Sequence, residues 1–452
     1  MNKLIEDKWV TVLGCLLLFC VQFIANMVIV ALPSLASDLH LNVDMENAIN
    51  LVFLITSVAL MIPLGAYVSK YGIGRYLKIS LLLMTIGLLL SAFSTDINML
   101  LFSRVIQGIT AAVINCSIYV IVALQLPSDR LGYVLGIMGS CGYVGLCLSN
   151  TISGFVVYYL SWRAVFLILL PIYIVALMIL IKLDKEWYID HIEVTDHIGS
   201  ILYVLFMSLF LYGITQLDNN NMWMIVASMV ILIIFIYVER HISNPCYDLT
   251  IFRNSKFSLG NYSAFVMYFM TFIASYLLNY YLQHVLGYDT RLTGLFLLAT
   301  PLAVVFVSTF AGKLSDKVDE RVLSSIALIF ILIDILLLFF MDVVPVYMLL
   351  IACILQGIGH GMFSSPNNRF VLTQVDEKYL SNASAVLSTN KDVGKSVSLA
   401  IFTAICGFVL GPNGTLDNNA SSFILSSKIT LAIALLLGII TLILLILNRL
   451  KD

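Results

Sequence analysis

Side chains able to hold a solute or hand on a proton recur at helical spacing inside stretches otherwise too apolar for them. Gln22 and Asn26 stand one turn apart, and Arg104, Gln107, Asn115 and Tyr119 follow one helical face. Tyr268, Thr271, Ser275, Asn279 and Gln283 form a third stripe, with Tyr276, Tyr280 and His284 beside it. Gln356, His360, Ser364 and Asn367 form a fourth. An unsatisfied polar group is costly in hydrocarbon, so such side chains face protein or a water-filled cavity. A single Asn or Gln is ordinarily explained by a hydrogen bond between helices. Four stripes in matching positions favour a shared polar cavity, which suits reversible binding of a small molecule.

The ionisable residues in these stretches have two readings each. Arg104 carries the highest cost, roughly 2.5–3.5 kcal/mol at mid-bilayer on insertion scales; it serves the cavity, or it snorkels to a nearby helix end. Asp334 is the clearest carboxylate in an apolar span, either exchanging a proton or bonded as an acid to a neighbouring helix. His360 is attractive because imidazole titrates near neutrality, although a satisfied core histidine is the plainer account. Lys391, Asp392 and Lys395 lie near one span end, and the Asp392–Lys395 spacing suits a local ion pair.

The elements that must carry these residues are membrane helices. Residues are 61% hydrophobic and 11% charged, and mean hydropathy is +1.01. Apolar runs of about 20 residues, each able to cross a ~30 Å hydrocarbon core, follow one another along the chain. Fourteen spans are predicted, at 9–36, 48–68, 77–93, 99–126, 131–159, 164–181, 198–217, 222–239, 257–286, 293–314, 323–340, 345–370, 383–411 and 426–447. The first is too long for a signal-peptide core and lacks a small-residue cleavage site. A polar connector with Asp184, Lys185, Glu186, Asp190, Glu193 and Asp196 follows the sixth, and Pro245 marks a loop after the eighth. The expected fold is all-α: six spans over 1–181, an inserted pair over 182–256, and six spans over 257–452.

With a cytoplasmic amino terminus, 18 of the 24 Lys and Arg fall in inside loops or tails. Arg163, Arg291 and Lys428 fall outside, where the short connections carry Asp38, Asp44, Glu46, Asp96, Asp218 and Asp342. That asymmetry places both termini inside. A net charge of −2 gives no basis for a nucleic-acid partner. The eight cysteines (Cys15, Cys20, Cys116, Cys141, Cys147, Cys246, Cys353 and Cys406) form no metal-type cluster and read as small core residues. No nucleotide loop or nucleophile constellation is visible, so neither an enzyme nor a cofactor is expected.

Two short motifs repeat. Gly65 to Gly72, with Ser69, Lys70 and then Arg75 and Lys78, corresponds to Gly312 to Lys317, with Asp316 and then Arg321. Arg104-Val105-Ile106-Gln107-Gly108 corresponds to Ile354-Leu355-Gln356-Gly357. Gly65 and Gly312 stand 247 residues apart and Gly108 and Gly357 stand 249 apart, which points to a duplicated six-span unit separated by the extra pair. Span 5 carries Gly136, Gly139, Gly142, Gly145, Ser149, Ser153 and Gly154, spacing that lets backbones approach closely.

Together these residues resemble the major facilitator superfamily, and within it the fourteen-span drug–proton antiporters. Gly65 to Arg75 and Gly312 to Lys317 are similar to the family's loop motif in each half. Arg104-x-x-Gln107-Gly108 is similar to its span 4 motif, whose arginine is implicated in proton coupling. Asp196-His197-Ile198-Gly199, Ser161-Trp162-Arg163 with Phe166 and Pro171, Tyr281-Leu282-Gln283 with Gly287-Tyr288, and Ser365-Pro366-Asn367-Asn368 extend the resemblance over nearly the whole chain. The sequence also departs from the pattern. The loop aspartate is Ser69 in the first half, span 5 reads Ser149-Asn150 and Ser153-Gly154 where Gly-Pro and Gly-Gly are usual, and Ile24 stands at the span 1 acidic position.

The resemblance implies a monomeric secondary transporter of the plasma membrane, rocking by alternating access and coupled to protons, that exports small amphipathic compounds or drugs. The missing first-half carboxylate keeps open a carrier of neutral or anionic metabolites. The implied pathway residues are Gln22, Asn26, Arg104, Gln107, Asn115, Asn279, Gln283, Gln356, His360 and Asp334. The implied gating residues are Gly65, Lys70, Gly72, Arg75, Gly312, Asp316, Lys317 and Arg321.

Overall fold

A computed structural model describes residues 3–41, 43–189, 196–215, 222–242, 249–288, 290–410 and 420–450. Asp190, Glu193, Asp218, Pro245 and Cys246 lie outside the described residues. The helices are α1 (Lys3–Leu39), α2 (Val43–Tyr71), α3 (Ile73–Ala92), α4 (Ile97–Gln125), α5 (Ser128–Tyr159), α6 (Trp162–Leu167) and α7 (Leu170–Leu183). Then come α8 (His197–Thr215), α9 (Met222–His241), α10 (Ser255–Tyr280), α11 (Thr290–Leu297) and α12 (Ala299–Ser315). Last are α13 (Glu320–Phe339), α14 (Val346–Thr373), α15 (Leu380–Leu410) and α16 (Ala420–Leu450). Among the described residues, 14 spans are long and apolar enough to cross a membrane. Helix is the outcome because every backbone polar group in hydrocarbon must be satisfied within its own segment. The sixth span is the pair α6–α7 and the tenth is α11–α12, and a π-helical turn, Tyr281–Val285, closes the ninth.

Local chemistry sets the ends. Asp96 accepts from the Met99 N–H, Ser161 from Ala164, Asn254 from Lys256 and Phe257, and Asp319 from Arg321, so four helices start on side-chain caps. Gly65 to Lys70, read in the sequence as loop, instead continues α2 to Tyr71, and Gly312 to Ser315 continues α12. The turn between α2 and α3 is taken by Gly72 alone, at φ 114°, a conformation that favours glycine. The connector then closes on this turn. The Glu186 carboxylate accepts from the N–H groups of Gly74 (2.6 Å) and Arg75 (3.2 Å), and the Trp187 carbonyl accepts from Ile73. An acid at a helix N-terminus satisfies free donors and complements the dipole.

Each half packs in the same way. In the first, α1 lies along α5, and α4 against α2 and α3; in the second, α10 lies along α15, and α14 against α12 and α13. The repeated glycine of each half permits this. A Cβ on Gly108 would meet the Phe53 carbonyl and Thr56 of α2, and one on Gly357 would meet Thr300 and Ala303 of α12. The halves join through α5 against α12 and α14, and α15 against α2 and α4. The inserted α8 and α9 pack on each other, and α8 touches both α2 and α15.

Candidate functional site

Where the halves meet, α4 and α5 present Tyr119 and Tyr143 to Tyr268 of α10, His360 of α14, and Lys391 and Lys395 of α15. The Tyr143 hydroxyl hydrogen-bonds the His360 ring nitrogen Nε2, a contact between halves. His360 lies edge-on to Tyr143 and Tyr268, with ring centroids 5.1 and 4.9 Å away. Lys391 Nζ donates to Asn368 Oδ1 at 2.8 Å and stands 5.5 Å from the Tyr268 ring centre and 5.9 Å from that of Tyr119. Lys395 stands 5.3 Å from the Tyr268 ring and pairs with Asp392 at 2.9 Å. Neither half could assemble this group alone. Two ammonium groups face one carboxylate, so the centre is cationic and lined with aromatic faces that stabilise cations.

His360 and the local pair were expected from the sequence, whereas Tyr143 and the association of Lys391 with two tyrosines, Tyr119 and Tyr268, were not. Tyr143 sits between Gly142 and Gly145, in the stripe read as packing. A large aromatic in a small-residue face was the available signal.

The remaining pathway residues fall into separate groups. Arg104 is fully buried and does not snorkel. Its Nε donates to the Ile49 carbonyl (3.3 Å), its Nη1 to Gln107 Oε1 (2.7 Å), and its guanidinium lies 4.6 Å from the Phe53 ring centre. Gln107 Nε2 in turn donates to the Gly87 carbonyl and to Ser91 Oγ. All these partners belong to the first half, and Arg104 Nη2 has no acceptor among the described residues. Gln356, at the matching position, bonds within the second half among the described residues: Nε2 to the Thr271 carbonyl, and Oε1 from Ser275 and Thr300. Asp334 is buried against α14 beside Cys353, with Oδ2 unpartnered among the described residues. Asn26 donates to the Gln22 carbonyl, Gln283 donates to Asn279 Oδ1 at 2.6 Å, and Asn115 is half-buried on α4.

On the face that carries both termini, α5 and α12 close on each other. Asp316, at the end of α12, accepts from the Gly132 N–H (2.8 Å) and the Tyr133 N–H (2.9 Å) of α5. Arg369 of α14 stands 3.4 Å from Asp316 and also pairs with Glu320. Ser365 donates to the Gly132 carbonyl, Ser308 to the Gly136 carbonyl, and Ser140 to the Val305 carbonyl. Arg321 bonds Asp319 and Asn448. In the first half the corresponding Ser69 is buried, and Lys70 lies over the Tyr71 ring at 5.4 Å. Lys317 follows Asp316 in the turn, and Arg75 is exposed. The acid that serves the first turn is therefore Glu186, from the connector and not from the opposite half, so the two repeats are closed differently.

On the opposite face, an open recess of about 740 Å³ is lined by Ser34, Ser37, Asp38, His40, Ser161 and Arg163, among others. Arg163 and Asp38 pair at 2.5 Å, and Arg163, the nearest cation, holds the Asp38 carboxyl below the usual carboxylate range.

Two six-helix halves around a polar, cationic contact, closed on one face by a charged latch, define a membrane carrier of small molecules. The Major Facilitator Superfamily profile matches residues 14–399 and 260–450, and the chain belongs to that family. It is a multi-pass membrane transporter, not an enzyme. It is 24% identical over 426 residues to the riboflavin transporter RibZ of Clostridioides difficile (strain 630), covering 94% of this chain and 93% of the relative. It is 24% identical over 403 residues to the multidrug resistance protein Stp of Mycobacterium tuberculosis (strain CDC 1551 / Oshkosh), covering 87% and 74%. The human organic anion transporter MFSD10 (TETRAN) superposes with a TM-score of 0.71 at 12% identity, covering 97% of this chain and 99% of that one, a likeness of fold.

Proposed function

We propose that the chain is a proton-driven exporter of small amphipathic compounds, working as a monomer in the plasma membrane with both termini in the cytoplasm. Its two halves, 1–181 and 257–452, rock about the Tyr143–His360 contact. The observation that carries this reading is the pairing of a centre shared by both halves with a latch, Asp316 on Gly132 and Tyr133, that only one orientation of the halves can form. Arg104, Gln107 and Asp334 are proposed as the coupling groups, because each is buried in one half and two keep a polar atom unpartnered among the described residues. The names of the relatives, a riboflavin transporter and a multidrug resistance protein, fit amphipathic aromatic solutes.

The test is proton release from acid-loaded inverted vesicles on adding amphipathic compounds of either charge. Release that Arg104→Ala abolishes supports coupling; solute movement with no proton release would leave facilitated diffusion in its place.

A further inference from the structure

Resting on that reading, we infer that the shared centre binds a planar aromatic compound carrying an acidic group: the ring lies among Tyr119, Tyr143 and Tyr268, and the anion sits on Lys391. Three observations lead there. First, charge: Lys395 has Asp392 as its partner at 2.9 Å, whereas the Lys391 ammonium, among the described residues, has a neutral acceptor, Asn368 Oδ1, at 2.8 Å. Among the described residues no carboxylate lies within ion-pair distance of Lys391. A cation in low dielectric with a single neutral acceptor gains most from an anion, because charge-assisted bonds are the strong ones. An ammonium has three donors, and the structure fills one.

Second, shape: the rings of Tyr119 and Tyr268 stand 5.9 and 5.5 Å from that ammonium, and His360 holds Tyr143 and Tyr268 edge-on. Tyrosine faces present flat apolar surface with a polar tip, which suits an offset-stacked ring better than a flexible alkyl chain. Third, placement: Tyr119 and Tyr143 come from one half and Lys391 from the other, so a ligand bridging ring and charge senses the relative position of the halves. A lipophilic cation would meet two ammonium groups.

The experiment is binding and uptake with the full chain in nanodiscs and proteoliposomes, using four probes of similar size. These are 2-naphthoate, its neutral amide, 2-naphthylmethylammonium, and cyclohexanecarboxylate. The expected result is that 2-naphthoate binds about tenfold or more tightly than each of the other three. Lys391→Gln should bring naphthoate and naphthamide level, Lys391→Arg should restore the preference, and Tyr268→Leu should weaken naphthoate and naphthamide alike. Equal binding of naphthoate and naphthamide to the native protein, tightest binding of the cation, or no binding of naphthoate would overturn the assignment. The two levels separate cleanly. Flux of dyes without naphthoate binding overturns the substrate class and leaves the transporter reading. Naphthoate binding that obeys the Lys391 series, without flux of any compound, supports the site and overturns the transport.

Discussion

Asp316→Asn should open the face that carries the termini. In the native chain both carboxylate oxygens accept from backbone N–H groups of α5, at 2.8 and 2.9 Å, and Arg369 stands 3.4 Å away. The Asp316 side chain is 8% exposed, so water replaces little of what is lost. Hydrogen bonds to charged groups contribute roughly 1.5–3 kcal/mol each, against roughly 0.5–1.5 for neutral ones. An asparagine keeps one neutral acceptor and turns its NH2 toward the other N–H, so the latched state loses about 3 kcal/mol. That is about two powers of ten in the equilibrium between latched and open states. Hydrogen exchange read by mass spectrometry on peptides covering 128–140 and 308–316 is the assay. Exchange should quicken in both segments, with little change in α3 or α13. Unchanged exchange in both, in a folded variant, would refute the latch.

Three further outcomes follow from the same geometry. Gly136→Ala places a Cβ 2.6 Å from the Ser308 carbonyl and 3.1 Å from Gly312 Cα, both backbone, so α5 and α12 must part. Flux should be lost and stability lowered by roughly 1–3 kcal/mol, whereas Gly142→Ala, whose nearest neighbour is 3.5 Å away on the flexible Gln22, should be tolerated in thermal melts. Gln107→Leu strands Arg104 Nη1 in a buried site and should lower the melting temperature by a few degrees, roughly the cost of an unpaired charged donor. Asp319 is held below the usual carboxylate range, first by the hydrogen bond from the Arg321 side chain. Its stabilisation is therefore present above the ordinary carboxylate value of about 4 and fades as pH falls through the lower folded value. The melting difference between wild type and Asp319→Asn should accordingly be largest at neutral pH and shrink in acid.

The fourteen spans were legible because membrane crossing imposes one length and one composition, whereas the turns after Gly65 and Gly312 fall later than their charged residues suggested, at Gly72 and Asp316. The repeated Gln-Gly pairs were legible as a duplication, and their glycines prove to be contact points at Thr56 and Thr300. What the sequence hid were relations across the chain. Asp392 and Lys395 read as a local pair because spacing shows neighbours on one helix, and only packing of α15 against α4 and α10 brings tyrosines to Lys391 and Lys395. Arg104 looked close enough to a helix end to snorkel, but Ile49 and Phe53 of α2 enclose it. Glu186 gave no sign of its role, since capping α3 requires a fold that returns the connector beneath the first half.

The most direct test of the central claim is solute flux in proteoliposomes against a concentration gradient, with and without an imposed proton gradient. Accumulation of an aromatic amphipathic compound that requires the proton gradient, with matching proton counterflow, is the expected result. Equal movement with and without the gradient, ending at concentration balance, would contradict proton-driven transport by this fold.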